Sequence, residues 1–198
     1  MLHKKILFLD KLKYEFTTLF SNMKIVLTIC CLISSLALYG QKNNELLYPA
    51  IEGYGGVIPL EGAILPTKKN KVIIDITMSP DDPGELNLAY DRIARLINLY
   101  HFSGSKKGDL ELAVITHSGA TYSVLNDESY EAKFGVSNPN LEIIERLKSY
   151  GVQIMVCGQA LIKRGFQPDN LNEHVDLALS AITTLTDYQK NGFSVLYY

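Results

Sequence analysis

NPNLEIIERLKSYGVQIMVCGQAL, Asn138 to Leu161, is the stretch on which the fold is decided. Asn138 and Pro139 supply a capping side chain and a proline at the first helical position, so a helix starts there, and Gly151 ends it after Tyr150. Val152 to Cys157, VQIMVC, has the length and composition of a buried strand. Gly158 to Ile162 then reads as a helical turn. A helix, a strand and a helical turn in succession are the rhythm of a sheet whose strands run parallel.

The same rhythm extends in both directions. Upstream, Lys71 to Thr77, KVIIDIT, is a β-branched strand closed by the turn formers Ser79-Pro80-Asp81-Asp82-Pro83-Gly84. Glu85 to His101 places Leu86, Ala89, Ile93, Leu96, Ile97 and Tyr100 at spacings of three and four, an apolar stripe along a helix. Asp109 to Thr116, DLELAVIT, is a second strand that runs into His117-Ser118-Gly119 and a short helical stretch, Ala120 to Leu125. An irregular polar insert separates it from Asn138. Downstream, Val175 to Leu179 reads as a fourth strand, Ala181 to Lys190 as the last helix, and Phe193 to Tyr198 as an edge strand after Gly192. The expectation is an α/β fold in three layers, a mainly parallel sheet of about five strands with helices on both faces and right-handed crossovers.

Lys42 to Asn70 has no sustained period and reads as an arm packed on the surface of the domain at 71–198. Its glycines, in GYGGVIPLEG, do not form a GxGxxG fingerprint between a strand and a helix, so no nucleotide loop is expected. Ile25 to Leu38, IVLTICCLISSLAL, follows Lys24 and ends at Tyr39-Gly40-Gln41, the layout of a secretory signal peptide over 23–41. At ~1.5 Å per residue it spans less than the ~30 Å of a bilayer core, so removal is expected and a stable membrane anchor is not. Leu38 is a poor residue three positions before the cut, which keeps an uncleaved anchor as the alternative. Met23 directly precedes Lys24, and residues 1–22 read as a start-site extension. The expected destination is the periplasm or the exterior.

The 198 residues hold one ordinary domain. The first 41 carry five of the 19 basic groups and two of the 21 acidic ones, leaving 14 basic against 19 acidic groups, a net of −5, for the rest. A negative body without a basic cluster excludes nucleic acid and anionic membrane surfaces as expected partners.

Of three cysteines, Cys30 and Cys31 lie in the segment expected to be removed. Cys157 is then the sole cysteine of the exported protein, without an intramolecular disulfide partner. It falls at the carboxyl end of a parallel strand, the edge at which open α/β sheets bind ligands. The amides of Gly158 and Gln159, opening the next helical turn, favour a thiolate there. Free cysteine is also one of the most buried residue types, and a merely packed Cys157 is the competing reading. His117 ends the preceding strand and can stabilise a thiolate or pass a proton, provided the two strands are neighbours. One cysteine and one histidine do not make a four-ligand zinc site, and no metal or cofactor is expected. Asp81/Asp82 and Asp127/Glu128 read as solvated turns, and Ser118 lacks the flanks of a GxSxG elbow.

THSGAT at Thr116 to Thr121, the opening stretch Asn138 to Leu161, and LSAITTLTDYQKNGFSVL at Leu179 to Leu196 together resemble the DsrE/DsrF-like family. The resemblance covers Lys71 to Tyr198 and implies a YchN-like fold, assembly into homotrimers or hexamers, and a cysteine that carries persulfide sulfur between proteins. By position Cys157 matches that cysteine, and His117 matches the histidine of an HGGAT-like segment, here HSGAT. The sulfur-relay members work in the cytoplasm, whereas this chain carries an export pattern. The expected function is handling of sulfane sulfur through Cys157, with a donor or acceptor protein or a small thiol as partner. The alternative is a non-catalytic oligomeric module that binds a small ligand. A thiol redox enzyme would need a second, resolving cysteine from elsewhere.

Overall fold

The computed structural model describes residues 45–198. The start-site and signal-peptide readings at 1–22 and 23–41 lie outside the described residues.

Five strands form one sheet: β1 (Asn70–Ile76), β2 (Leu110–Thr116), β3 (Gln153–Cys157), β4 (Asp176–Ala178) and β5 (Ser194–Tyr197). All pairings are parallel, in the order β4-β3-β2-β1-β5. The helices are α1 (Leu88–Phe102), α2 (Asp127–Phe134), α3 (Leu141–Tyr150), α4 (Gly158–Lys163) and α5 (Ala181–Lys190), with a 3-10 helix at Ser118–Val124. The three-layer expectation therefore holds, with the sheet parallel throughout.

Strand alternation divides the core into two halves. Val72, Ile74, Ile76, Leu112, Val114, Ile154 and Val156 face α1 and α3, which contribute Tyr90, Ile93, Ile97, Ile143, Ile144 and Leu147. Ile73, Ala113, Ile115, Met155 and Cys157 face the other way, under Ala181, Leu185 and Tyr188 of α5. The second half is smaller, and Cys157 belongs to it.

The arm is held by one side chain. Asn98, fully buried on α1, accepts from the amides of Ala50 (2.9 Å) and Ile51 (2.8 Å) and donates to the carbonyls of Ile51 (3.1 Å), Tyr54 (2.9 Å) and Gly55 (3.1 Å). Gly55 lies against the α1 backbone, where an added Cβ would stand 2.0 Å from the Arg95 nitrogen. A short antiparallel bridge, Leu47 to Val57, closes the loop, and Ile51 and Val57 are buried. From Ile58 to Lys69 every residue is exposed.

Three local readings change. The insert before Asn138 contains α2, capped by the Asn126 side chain on the Ser129 amide, and Asp127 and Glu128 occupy its first turn instead of a solvated loop. Its low apolar content hid it from a search for a stripe. The first long helix begins at Leu88, because Asn87 caps it through the Ala89 amide. Asn138 does not cap α3, whose N-cap position is Asn140. Asn138 is instead buried, donating to the carbonyls of Ser123 (3.1 Å) and Leu125 (2.7 Å) while its Oδ1 accepts from the Asn140 backbone (3.0 Å) and side chain (2.9 Å).

Two substitutions probe this frame. Asn98→Ala leaves several arm amides and carbonyls unpaired, and is expected to lower unfolding free energy by about 2–4 kcal/mol and to speed proteolysis between residues 45 and 69. Gly158→Ala places a Cβ 2.9 Å from the Ala178 carbonyl oxygen of β4. It is expected to cost about 1–3 kcal/mol in a denaturant melt, since backbone must shift.

Candidate functional site

The site is built on three adjacent strands. Registers pair Asp75 of β1 with Ile115 of β2, and Thr116 of β2 with Val156 of β3. One step beyond the last β2–β3 pair, His117 lies opposite Cys157, on neighbouring strands whose backbones are ~5 Å apart. Two-residue alternation puts Asp75, His117 and Cys157 on the face that holds Ile73, Ile115 and Met155. The strand ladder continues to His117, whose amide donates to the Ile76 carbonyl at 3.0 Å.

His117 has a partner at each ring nitrogen. Nε2 stands 2.8 Å from Asp75 Oδ1, and Nδ1 is 3.2 Å from the Ser118 hydroxyl. The Asp75 side chain is 7% exposed and the His117 side chain 26%. Despite its closeness, the Nε2 contact is off the hydrogen-bond axis, so Asp75 Oδ1 receives no aligned donor among the described residues. Asp75 is the group that sequence reading missed. Its signal was a lone carboxylate inside the otherwise apolar run KVIIDIT, where a buried charge demands a partner.

The turn after β2 fixes His117. Ser118 takes a left-handed conformation, φ 52°. The next residue, Gly119, lets the segment after β1 close in: an added Cβ would lie 3.2 Å from the Thr77 carbonyl oxygen and 3.3 Å from the Ser79 nitrogen. Ser79 donates its hydroxyl to the Gly119 carbonyl at 2.6 Å, and the Ala120 amide donates to the Thr77 carbonyl at 3.1 Å. Ser123 gives its proton to the Ala120 carbonyl (2.7 Å) and meets the Tyr90 hydroxyl at 2.9 Å, pinning the 3-10 helix to α1. Burial pushes the Tyr90 phenol well above its ordinary range.

Cys157 is 6% exposed and occupies the N-cap position of α4. Its side chain makes no capping bond to the amides that follow. Gly158 is buried under β4, and Gln159 is exposed with its amide 3.4 Å from the Leu179 carbonyl. With six residues, α4 offers only a short dipole. The structure thus brings His117 and Cys157 to one sheet edge and leaves Gln159 turned to solvent. Beside them Leu177, Leu179 and Ile182 are exposed apolar residues.

The described clefts lie elsewhere. One of about 550 Å³ is bounded by Glu52, Glu142, Arg146 and Tyr150, and an apolar groove of about 460 Å³ runs between Ile58–Pro66 and the Leu96, Leu99 and Phe102 side of α1. Among the described residues no cluster of three His, Cys, Asp or Glu side chains is placed to hold a metal ion. No helix among them is long and apolar enough to cross a membrane.

Comparison with known proteins agrees with this frame. The fold is similar to that of a protein of unknown function, MTH1491 from Methanobacterium thermoautotrophicum, at 18% identity and a TM-score of 0.50, over 65% of this chain and 99% of that one. The ychN protein from E. coli gives 19% identity and a TM-score of 0.49 over 65% and 99%. No curated protein matches the chain. The profile of the DsrE/DsrF-like family matches residues 70–198, from the first residue of β1 to the last of the chain, and the protein belongs to that family.

Proposed function

We propose that the protein is an exported carrier of sulfane sulfur that uses Cys157 as its one acceptor. The observation that carries this reading is the placement of Cys157 opposite His117 on neighbouring strands at the carboxyl edge of the sheet. Family membership supports a sulfur-related role. The thiolate of Cys157 attacks the outer sulfur of a donor such as thiosulfate; a new S–S bond forms, the donor's S–S bond breaks, and sulfite leaves with the electron pair. The persulfide keeps one negative charge, which His117 and the amides of Gly158 and Gln159 stabilise. A cysteine 6% exposed suits a small donor. Export rests on IVLTICCLISSLAL, and assembly into a homotrimer or hexamer would cover Leu177, Leu179 and Ile182.

The reading is tested by incubating the mature protein with thiosulfate at neutral pH and following intact mass. Gain of one sulfur atom on Cys157, reversed by a reducing thiol, is the expected result. Absence of the adduct together with slow alkylation would overturn it.

The packing of Cys157 against Ile115, Met155 and Ala181 favours a second reading, a binding module in which the thiol only fills space. The two diverge for Cys157→Ser. A carrier loses all sulfur uptake, whereas a binding module keeps its ligand, measured by calorimetry, and changes in stability by about 1–2 kcal/mol.

A further inference from the structure

We infer that Asp75 is a positioning residue for Cys157, acting through His117. The inference rests on the sulfur-carrier reading and adds the group that prepares the imidazole. A carboxylate this deep in an apolar sheet is costly unless charge is paired with it. Its Oδ1 lies 2.8 Å from His117 Nε2 and has no aligned donor among the described residues. The arrangement is one that tightens when the ring becomes charged, as poorly aligned contacts at resting sites do. The opposite nitrogen lies 3.2 Å from the Ser118 hydroxyl, which can accept from it once the ring is protonated there. An imidazolium therefore has an oxygen near each ring nitrogen, one of them a carboxylate.

The step is a proton transfer followed by sulfur transfer. The Cys157 S–H bond breaks, its electron pair stays on sulfur, and the proton ends on the His117 ring beside the Asp75 carboxylate. The sulfur pair then makes the bond to the outer sulfur of thiosulfate while sulfite departs. Asp75 touches neither the donor nor the reacting sulfur; it holds the ring in place and balances its charge. The geometry is a row across three adjacent strands, carboxylate on β1, imidazole on β2 and thiol on β3.

Asp75→Asn keeps the volume and removes the charge. At one neutral pH, wild type and variant are compared for the rate of sulfur uptake from thiosulfate and for the ¹⁵N shifts of the His117 ring, with a thermal melt to confirm folding. Uptake slowed by about tenfold or more, with the ring shifts displaced from their wild-type values, is the expected result. Uptake at the wild-type rate, or unchanged ring shifts, would refute the role. If neither protein takes up sulfur, the carrier reading fails, and the ring shifts alone decide on Asp75: moved shifts uphold it as the holder of the ring, unmoved shifts reject it. Should Asp75→Asn not fold, Asp75→Glu, which keeps the charge but displaces it by one methylene, is put through the same two assays: slowed uptake with altered ring shifts supports the role, and wild-type uptake with unaltered shifts overturns it.

Discussion

A parallel sheet must be dry on both faces, and that requirement organises this protein. One face is sealed by α1, α3 and the arm, the other by a single helix, α5. The thin cover on the second face ends near the carboxyl edge of the strands, where alternation delivers Asp75, His117 and Cys157. At that edge the His117 side chain stays 26% exposed, with its Nε2 2.8 Å from Asp75 Oδ1. The glycines around them, Gly119 and Gly158, are sites of close backbone approach that bring the flanking segments against the strand ends.

Much of this architecture was legible in residue order. The strands announced themselves as β-branched runs, α1 as an apolar stripe, and α3 as a segment stopped by Gly151. Cys157 and His117 were recognisable as strand-end residues because each is followed by a glycine-containing turn. Their adjacency was not legible, since strand order depends on which crossovers pack together and no local pattern encodes that. Asp75 was overlooked for a related reason: within KVIIDIT it looks like a blemish in a hydrophobic run until a histidine from another strand stands 2.8 Å away. The helix α2 went unread because it buries only Tyr130 and so has no stripe to detect.

Asparagine carries an unusual share of the long-range structure. The Asn87 backbone amide donates to the Asn140 side-chain oxygen, Asn140 donates its backbone and side-chain N–H groups to Asn138 Oδ1, and Asn138 in turn donates to carbonyls at the end of the 3-10 helix. An amide side chain serves here because it can donate and accept at once without charge, so it joins backbone ends that a carboxylate or a lysine could satisfy only in one direction. The loops near the site thereby inherit the rigidity of α1 and α3, and the turn that bears His117 is anchored on the helical layer through Tyr90.

The role of Asn98 bears on where the folding unit begins. The family match starts at residue 70, yet Ile51 and Val57 are packed into the described structure, and five hydrogen bonds of one buried amide point at residues 50–55. A polypeptide trimmed to the family span would retain every strand while uncovering one flank of α1 and stranding a polar group in an oily surface. The boundary drawn by kinship and the boundary drawn by thermodynamics differ by some twenty residues, and the second is the one a shortened protein must respect.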